Sequence, residues 1–346
     1  MPRFTFVLVS LTVLLGACGD VPTTPRSARP SGEADGNVLS IGDLRRAHPG
    51  TPCSAPVYHQ FDFWLGTSYV TTDGTFDGTN NVTSELDGCL IAEHWNDAGE
   101  IAGWSLNTYD RTDGMWHQHW VDEFATNLIL SGGLQDGAMV LTGSRPRLVG
   151  GLLFDRVTYT PLPTGQMRQL WEQSLDNGAT WPSVPFDGVY TFQPVVPPPA
   201  PGTASCAGPA YHTADFMLGQ WRVEAESGLE LGHSSITAEL STCLVLEQLE
   251  TPKGYRATAF LSYQRASASW VRTYIDTEGN RIFLRGTAAN GALVMTGSST
   301  LESGEHVMIR VTWTRTAAGT LEQVWEVSDN GGATWSFDQK LVYVPA

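Results

Sequence analysis

The sequence predicts an all-β protein made of two antiparallel β-barrels in tandem, each of about ten strands. Three observations carry this reading. Short apolar alternations are broken by turn residues about every 8–12 positions, the pattern of a barrel or sandwich. No helical periodicity is sustained beyond the N-terminal apolar run, which excludes parallel α/β folds. The second half of the chain also repeats the first. Phe61-Asp62-Phe63-Trp64-Leu65-Gly66 returns 153 positions later as Ala214-Asp215-Phe216-Met217-Leu218-Gly219. In the same way Cys53 is matched by Cys206, Cys89 by Cys243, Tyr109 by Tyr263, Trp116 by Trp270, Trp171 by Trp325 and Trp181 by Trp335. A repeat this long is a duplicated domain, because solenoid periods are shorter.

In chain order, residues 1–17 read as a targeting segment: a basic start at Arg3, an apolar run from Phe4 to Leu15, then Leu15-Gly16-Ala17-Cys18. The apolar run is too short to span a bilayer. Leu-Gly-Ala-Cys after such a run resembles the bacterial lipobox. That resemblance implies diacylation of Cys18, which becomes the new N-terminus, and with Gly19 next to it, sorting to the outer membrane of a Gram-negative envelope. The alternative is an ordinary cleaved secretory signal. Residues 18–52 are rich in Pro, Thr, Ser and Gly and read as a flexible tether, with one short helical turn over Leu39–Arg46.

The first barrel is expected over 53–193. Its strands fall at Trp64–Thr71, Asn80–Leu86, Cys89–Trp95, Ile101–Tyr109, Met115–Val121, Leu128–Leu130, Ala138–Thr142, Leu152–Thr160, Met167–Ser174 and Val184–Phe192. The turns between them carry Asp-Gly and Pro-x-Gly pieces, such as Asp87-Gly88, Asp113-Gly114, Asp136-Gly137 and Pro163-Thr164-Gly165. Tyr58–Phe63 is expected to form a helical turn plugging one end. Residues 194–205 are a proline-rich linker, read as a semi-rigid spacer that keeps the two domains apart. The second barrel occupies 206–346.

Four cysteines remain after Cys18, two per repeat. In an exported chain they pair, and the duplication selects Cys53 with Cys89 and Cys206 with Cys243. Each closure stabilises its domain by about 3–4 kcal/mol on the chain-entropy account. The net charge is −16, with acids spread along the chain and no basic cluster. This argues against nucleic acid, and against anionic lipid beyond the acyl anchor.

Phe61 to Gly66, Leu86 to Cys89, Tyr109-Asp110, Trp116 to Gln118, Trp120 to Asp122 and Leu170 to Glu172 together resemble a family of bacterial calycin-like barrels, related in fold to lipocalins and fatty-acid-binding proteins and largely of unknown function. The resemblance covers nearly all of the first domain. It implies a ligand cavity inside a calycin-like barrel, with no agreed ligand. The second domain departs from it: Met217 stands for Trp64, Val271-Arg272 for His117-Gln118 and Tyr274 for Trp120. A second resemblance lies in the last hairpin of each repeat. Ser174, Asp176, Gly178 and Trp181, with Ser328, Asp329, Gly331 and Trp335 as the second copy, look like the Asp-box turn of sialidase propellers. Without a blade repeat, this reads as a stiff turn.

Candidate ligand-binding residues are Trp64, Glu93, His94, Trp104, Trp116, His117, His119, Trp120, Trp171 and Glu172. Trp116, Gln118 and Trp120 share one strand face, His117 and His119 the other. Both faces carry bulky residues, so alternation leaves the interior open. His94, His117 and His119 form a weak candidate for a metal site, unmatched in the second repeat, where Gln248, Val271 and Thr273 stand. Glu93 and Glu172, matched by Glu247 and Glu326, suggest glycan-active acid–base work if they converge, and cross-strand partners of Arg or Lys if they do not. No catalytic residues and no cofactor are expected. The chain has no Gly-x-Ser-x-Gly elbow, His-Glu-x-x-His or phosphate-binding glycine loop. The leading expectation is a membrane-anchored lipoprotein whose first barrel binds a small apolar molecule. A hydrolase and a structural surface module are the alternatives.

Overall fold

A computed structural model describes residues 53–98, 101–193, 206–300 and 306–346. The targeting segment 1–17, Cys18, the tether and the linker 194–205 lie outside the described residues.

Each half is a closed ten-stranded barrel in which every strand pairs antiparallel with its neighbours and the last strand closes on the first. In the first barrel the strands are β1 Gly66–Thr72, β2 Thr75–Glu85, β3 Leu90–Asp97, β4 Ala102–Asp110, β5 Met115–Asp122, β6 Asn127–Gln135, β7 Ala138–Pro146, β8 Leu152–Pro161, β9 Met167–Ser174 and β10 Ser183–Phe192. In the second they are β11 Gly219–Ala225, β12 Glu230–Glu239, β13 Leu244–Glu250, β14 Arg256–Gln264, β15 Ser269–Asp276, β16 Arg281–Ala289, β17 Ala292–Thr300, β18 His306–Arg315, β19 Leu321–Ser328 and β20 Ser336–Pro345. All ten strands expected in the first half are present, several longer than their apolar stretch. Closure removes both free edges, and with them the row of unpaired backbone groups that an open sheet exposes.

One end of the first barrel is plugged. Two 3-10 turns, Pro56–His59 and Asp62–Trp64, lie ahead of β1. They drive Phe61 and Trp64 into the interior, both with no solvent exposure. Phe61 stacks on Trp64 at 4.9 Å between ring centroids and meets Trp116 and Tyr159 edge-on. The opposite end carries the β1–β2, β3–β4, β5–β6, β7–β8 and β9–β10 hairpins and forms the mouth.

The disulfides are Cys53–Cys89 and Cys206–Cys243, the pairing that the duplication selects.

The expectation that the linker keeps the domains apart is corrected by the packing. The outer faces of β3, β4 and β5 lie against those of β13, β14 and β15. There Leu90, Ala92, Ala102, Leu106 and Val121 share one buried cluster with Leu244, Phe260 and Ile275. The interface is pseudo-symmetric. Cys89 Sγ lies 3.6 Å from the carbonyl oxygen of Thr277, and Cys243 Sγ 3.6 Å from that of Glu123. Each disulfide, at the plugged end of its own barrel, thus abuts a mouth-end turn of the other. The barrels lie side by side in opposite senses. Strands buried on both faces carry apolar residues on both, which is why β3–β5 gave no clear alternation.

Candidate functional site

Within the first barrel, alternation along β3, β5 and β9 turns Glu93, Trp95, Gln118, Trp120 and Trp171 inward. They join Tyr159, Phe186 and Tyr190 around a cavity of about 270 Å³ that opens at the mouth. Two glycines make room for its indoles. A Cβ on Gly103 would lie 2.2 Å from the Trp120 ring, and one on Gly78 would lie 2.9 Å from the Trp95 ring. Trp95 and Phe186 meet edge-on at 5.8 Å. Trp171 is held by its indole N–H, which donates to Asp155 Oδ1 at 2.9 Å, and Trp120 by donation to Asp122 Oδ2 at 3.2 Å.

Glu93 is the chemically distinctive member. It is 2% exposed. Its Oε1 accepts from Asn80 Nδ2 at 3.1 Å and its Oε2 from Ser105 Oγ at 2.6 Å. No Arg or Lys lies within ion-pair distance among the described residues. Burial pushes its pKa up to about 7, only partly offset by the Ser105 and Asn80 hydrogen bonds. Gln118, next to it in the lining, donates to the Tyr159 hydroxyl at 2.8 Å.

The second barrel has solved the same position differently. Glu247 stands for Glu93 and Arg272 for Gln118. The Arg272 guanidinium donates to Glu247 Oε2 at 2.5 Å, with both side chains buried. It lies 5.1 Å from the ring centres of both Tyr274 and Trp313, which replace Trp120 and Tyr159. The residual void there is about 10 Å³. The second barrel is filled by its own side chains.

The structure sorts the candidate residues by face. Glu93, Trp120 and Trp171 line the cavity. Trp64 and Trp116 belong to the packed interior beneath it. The remaining five point out of the barrel, and their assignment to a ligand cavity is corrected. His94 packs on Trp104 on the outer wall, ring centroids 4.4 Å apart, and burial lowers its pKa. His117 sits between Asp113, at 2.9 Å, and Ser131, at 2.8 Å. Burial, reinforced by Arg281, lowers its pKa. His119 is enclosed between the barrels, its nitrogens 3.0 Å from Thr273 Oγ1 and Ser262 Oγ, and burial there depresses its pKa to about 3. Glu172 pairs with Arg156 across β8 and β9 at 2.8 Å.

The three histidines are therefore dispersed, and Glu93 and Glu172 lie on opposite sides of the barrel wall, with no shared cleft for glycoside hydrolysis. Among the described residues, the metal-capable side chains that do come together are Asp110, Asp113 and His117, their ligand atoms within 4.8 Å of one another. Each also contacts its neighbours: Arg281 and Thr112 contact Asp110, and His117 contacts Asp113.

Sequence reasoning missed Asp77, Trp95, Asp97, Asp122, Phe186 and Tyr190, all in the lining. For Trp95 the signal was available, since it lies two residues after Glu93 on one strand.

No family model and no curated protein matches this chain. Among solved structures it is similar to a protein of unknown function of the DUF3598 family from Nostoc punctiforme. The two are 11% identical over 83% of this chain and 97% of that one, with a TM-score of 0.22.

The last hairpin of each barrel is a side-chain-stapled turn. Ser174 Oγ accepts from the Gly178 N–H at 2.9 Å, and Asp176 Oδ1 accepts from the Thr180 N–H at 2.9 Å. Asn177 and Gly178 both adopt positive φ. In the second copy the capping role belongs to Asn330, which accepts from the Thr334 N–H at 3.0 Å, and Gly332 donates its N–H to Ser328 Oγ at 2.8 Å. The residues expected there, Asp329 and Gly331, are each one place early. Trp181 and Trp335 lie under Arg156 and Arg310, at 4.3 and 4.4 Å.

Proposed function

We propose that the protein is a small-molecule-binding module whose first barrel holds the ligand and whose second is its structural partner. The carrying observation is the difference between the two interiors: a mouth-connected cavity of about 270 Å³ in one and about 10 Å³ in the other. The walls combine aromatic and aliphatic side chains with a set of polar and acidic groups, the mixture of apolar surface and orienting polar groups that ligand sites use. The volume suits a compact ligand. The exported, membrane-anchored setting belongs to the same reading. It is supported by the apolar segment ahead of Cys18 and by two disulfides, which persist in oxidising compartments.

The test uses the full chain purified from an oxidising compartment. A neutral fluorophore, N-phenyl-1-naphthylamine, is expected to bind at one site per chain, and Val157→Trp, which fills the cavity, to abolish binding. Two sites, or binding indifferent to that substitution, overturns the assignment. For the anchor, the mass of the mature N-terminus is expected to carry acyl chains on Cys18 and to lose them in Cys18→Ser.

A further inference from the structure

Resting on that reading, we propose that the ligand is an organic cation bearing N–H donors, an amine or a guanidine, whose charged end pairs with Glu93 while its body lies among Trp95, Trp120 and Trp171. The second barrel supplies the strongest argument, because it shows what this interior takes when filled. Positions 93 and 247 correspond, as do 118 and 272. Where the second barrel closes its cavity, it does so with a guanidinium that donates to the corresponding carboxylate at 2.5 Å and lies between two aromatic rings. The first barrel keeps the carboxylate and aromatic rings but has an uncharged Gln118 and open space. A cationic ligand would restore from outside the arrangement that Arg272 makes from within.

Three further observations agree. The cavity lining includes Asp77, Glu93, Asp97 and Asp122 and no Lys or Arg. Converging carboxylates in a concave, low-dielectric site concentrate a negative potential that selects cations. The aromatic faces add the quadrupole attraction that holds ammonium and guanidinium groups. Glu93 itself is buried with hydrogen-bond donors but no counter-ion, and a buried charge is retained at low cost only when paired.

The probes are phenylguanidine and benzylamine as cations, benzyl alcohol as the neutral analogue and benzoate as the anion. They are titrated calorimetrically into the full chain at neutral pH. The expected result is at least tenfold tighter binding of the cations than of benzyl alcohol or benzoate. Glu93→Gln should remove that preference, so that the cations bind no more tightly than benzyl alcohol does to the same variant. Gln118→Arg, which installs the second barrel's arrangement, should abolish cation binding with the melting temperature maintained or raised. Should Gln118→Arg fail to fold, Glu93→Gln decides alone. Equal binding of all charge types, or a cation preference that survives Glu93→Gln, overturns the cation and leaves the binding module standing. No binding by any of these probes or by N-phenyl-1-naphthylamine overturns both.

Discussion

Glu93 and Glu247 carry the same carboxylate in nearly the same setting, yet one faces open space and the other an arginine. The consequence for the first is a pH-dependent cost. With its folded pKa near 7 against an ordinary 4.5, the folded state binds the extra proton between those values. Stability therefore falls as pH rises from about 4.5 to 7, and above 7 the full penalty of roughly 3 kcal/mol is present. Glu93→Gln is expected to raise the stability of the unliganded protein by up to that amount at pH 8 and by little at pH 4.5, as read from urea unfolding at the two pH values. Parallel pH profiles for the two proteins would contradict the buried, unpaired carboxylate. For Arg272 the expectation is reversed. Removing it in Arg272→Met leaves Glu247 buried without its partner, a class of change that costs about 3–5 kcal/mol. The contrast was present in the sequence as Gln118 against Arg272, but it acquires meaning only once both are known to face inward.

At the level of strands and turns, the sequence was largely legible. Turn chemistry is local, so Asp-Gly and Pro-x-Gly pieces located the hairpins and the strands between them. The interior face of β5 was not legible, because His119 and Val121 on its outer wall are as buried as Trp116 and Gln118 within. Burial of that outer wall depends on a domain about 150 residues away in the chain. The glycines of β2 and β4 escaped notice for a similar reason: Gly103 matters through the Trp120 indole that crosses it, and Gly78 through the Asn96–Asp97 backbone and the Trp95 indole of the neighbouring strand. Gly103→Ala forces the Trp120 ring to move, and overpacking of this kind costs about 1–3 kcal/mol. The expected signature is a changed tryptophan emission and weaker binding of the neutral fluorophore. Unaltered emission would mean the wall yields elsewhere. In the last hairpin, Gly178→Ala places a side chain at φ 81°. The expected loss is about 1 kcal/mol, measured by thermal melting, with the cavity unaffected.

The two barrels behave as one molecule through their interface, and His119 sits in it. Its folded pKa near 3 lies below the ordinary 6.5, so the unfolded chain takes up a proton that the folded one refuses. Stability is complete above about 6.5 and is lost as pH falls toward 3, by about 2 kcal/mol between pH 6.5 and 5 from this group alone. His119→Gln, which keeps a donor and an acceptor for Ser262 and Thr273, is expected to flatten that part of the profile in chemical unfolding. The interface also covers both disulfides, whose four cysteines are all buried. Reduction by a small thiol is therefore expected to be slow and to accelerate with substitutions that loosen the interface, such as Phe260→Ala, as followed by mass change over time. Rates independent of the interface would show the bridges to be reachable without separating the barrels.

Fusion of the two copies has a consequence for inheritance. Had this assembly remained a pair of identical chains, any change at position 118 would appear in both barrels at once, and an arginine that closes one cavity would close the other. Carried in a single gene, the copies can drift independently while the surface between them is maintained. One interior then supplies packing and the other retains an opening, a division of labour that a symmetric dimer cannot encode.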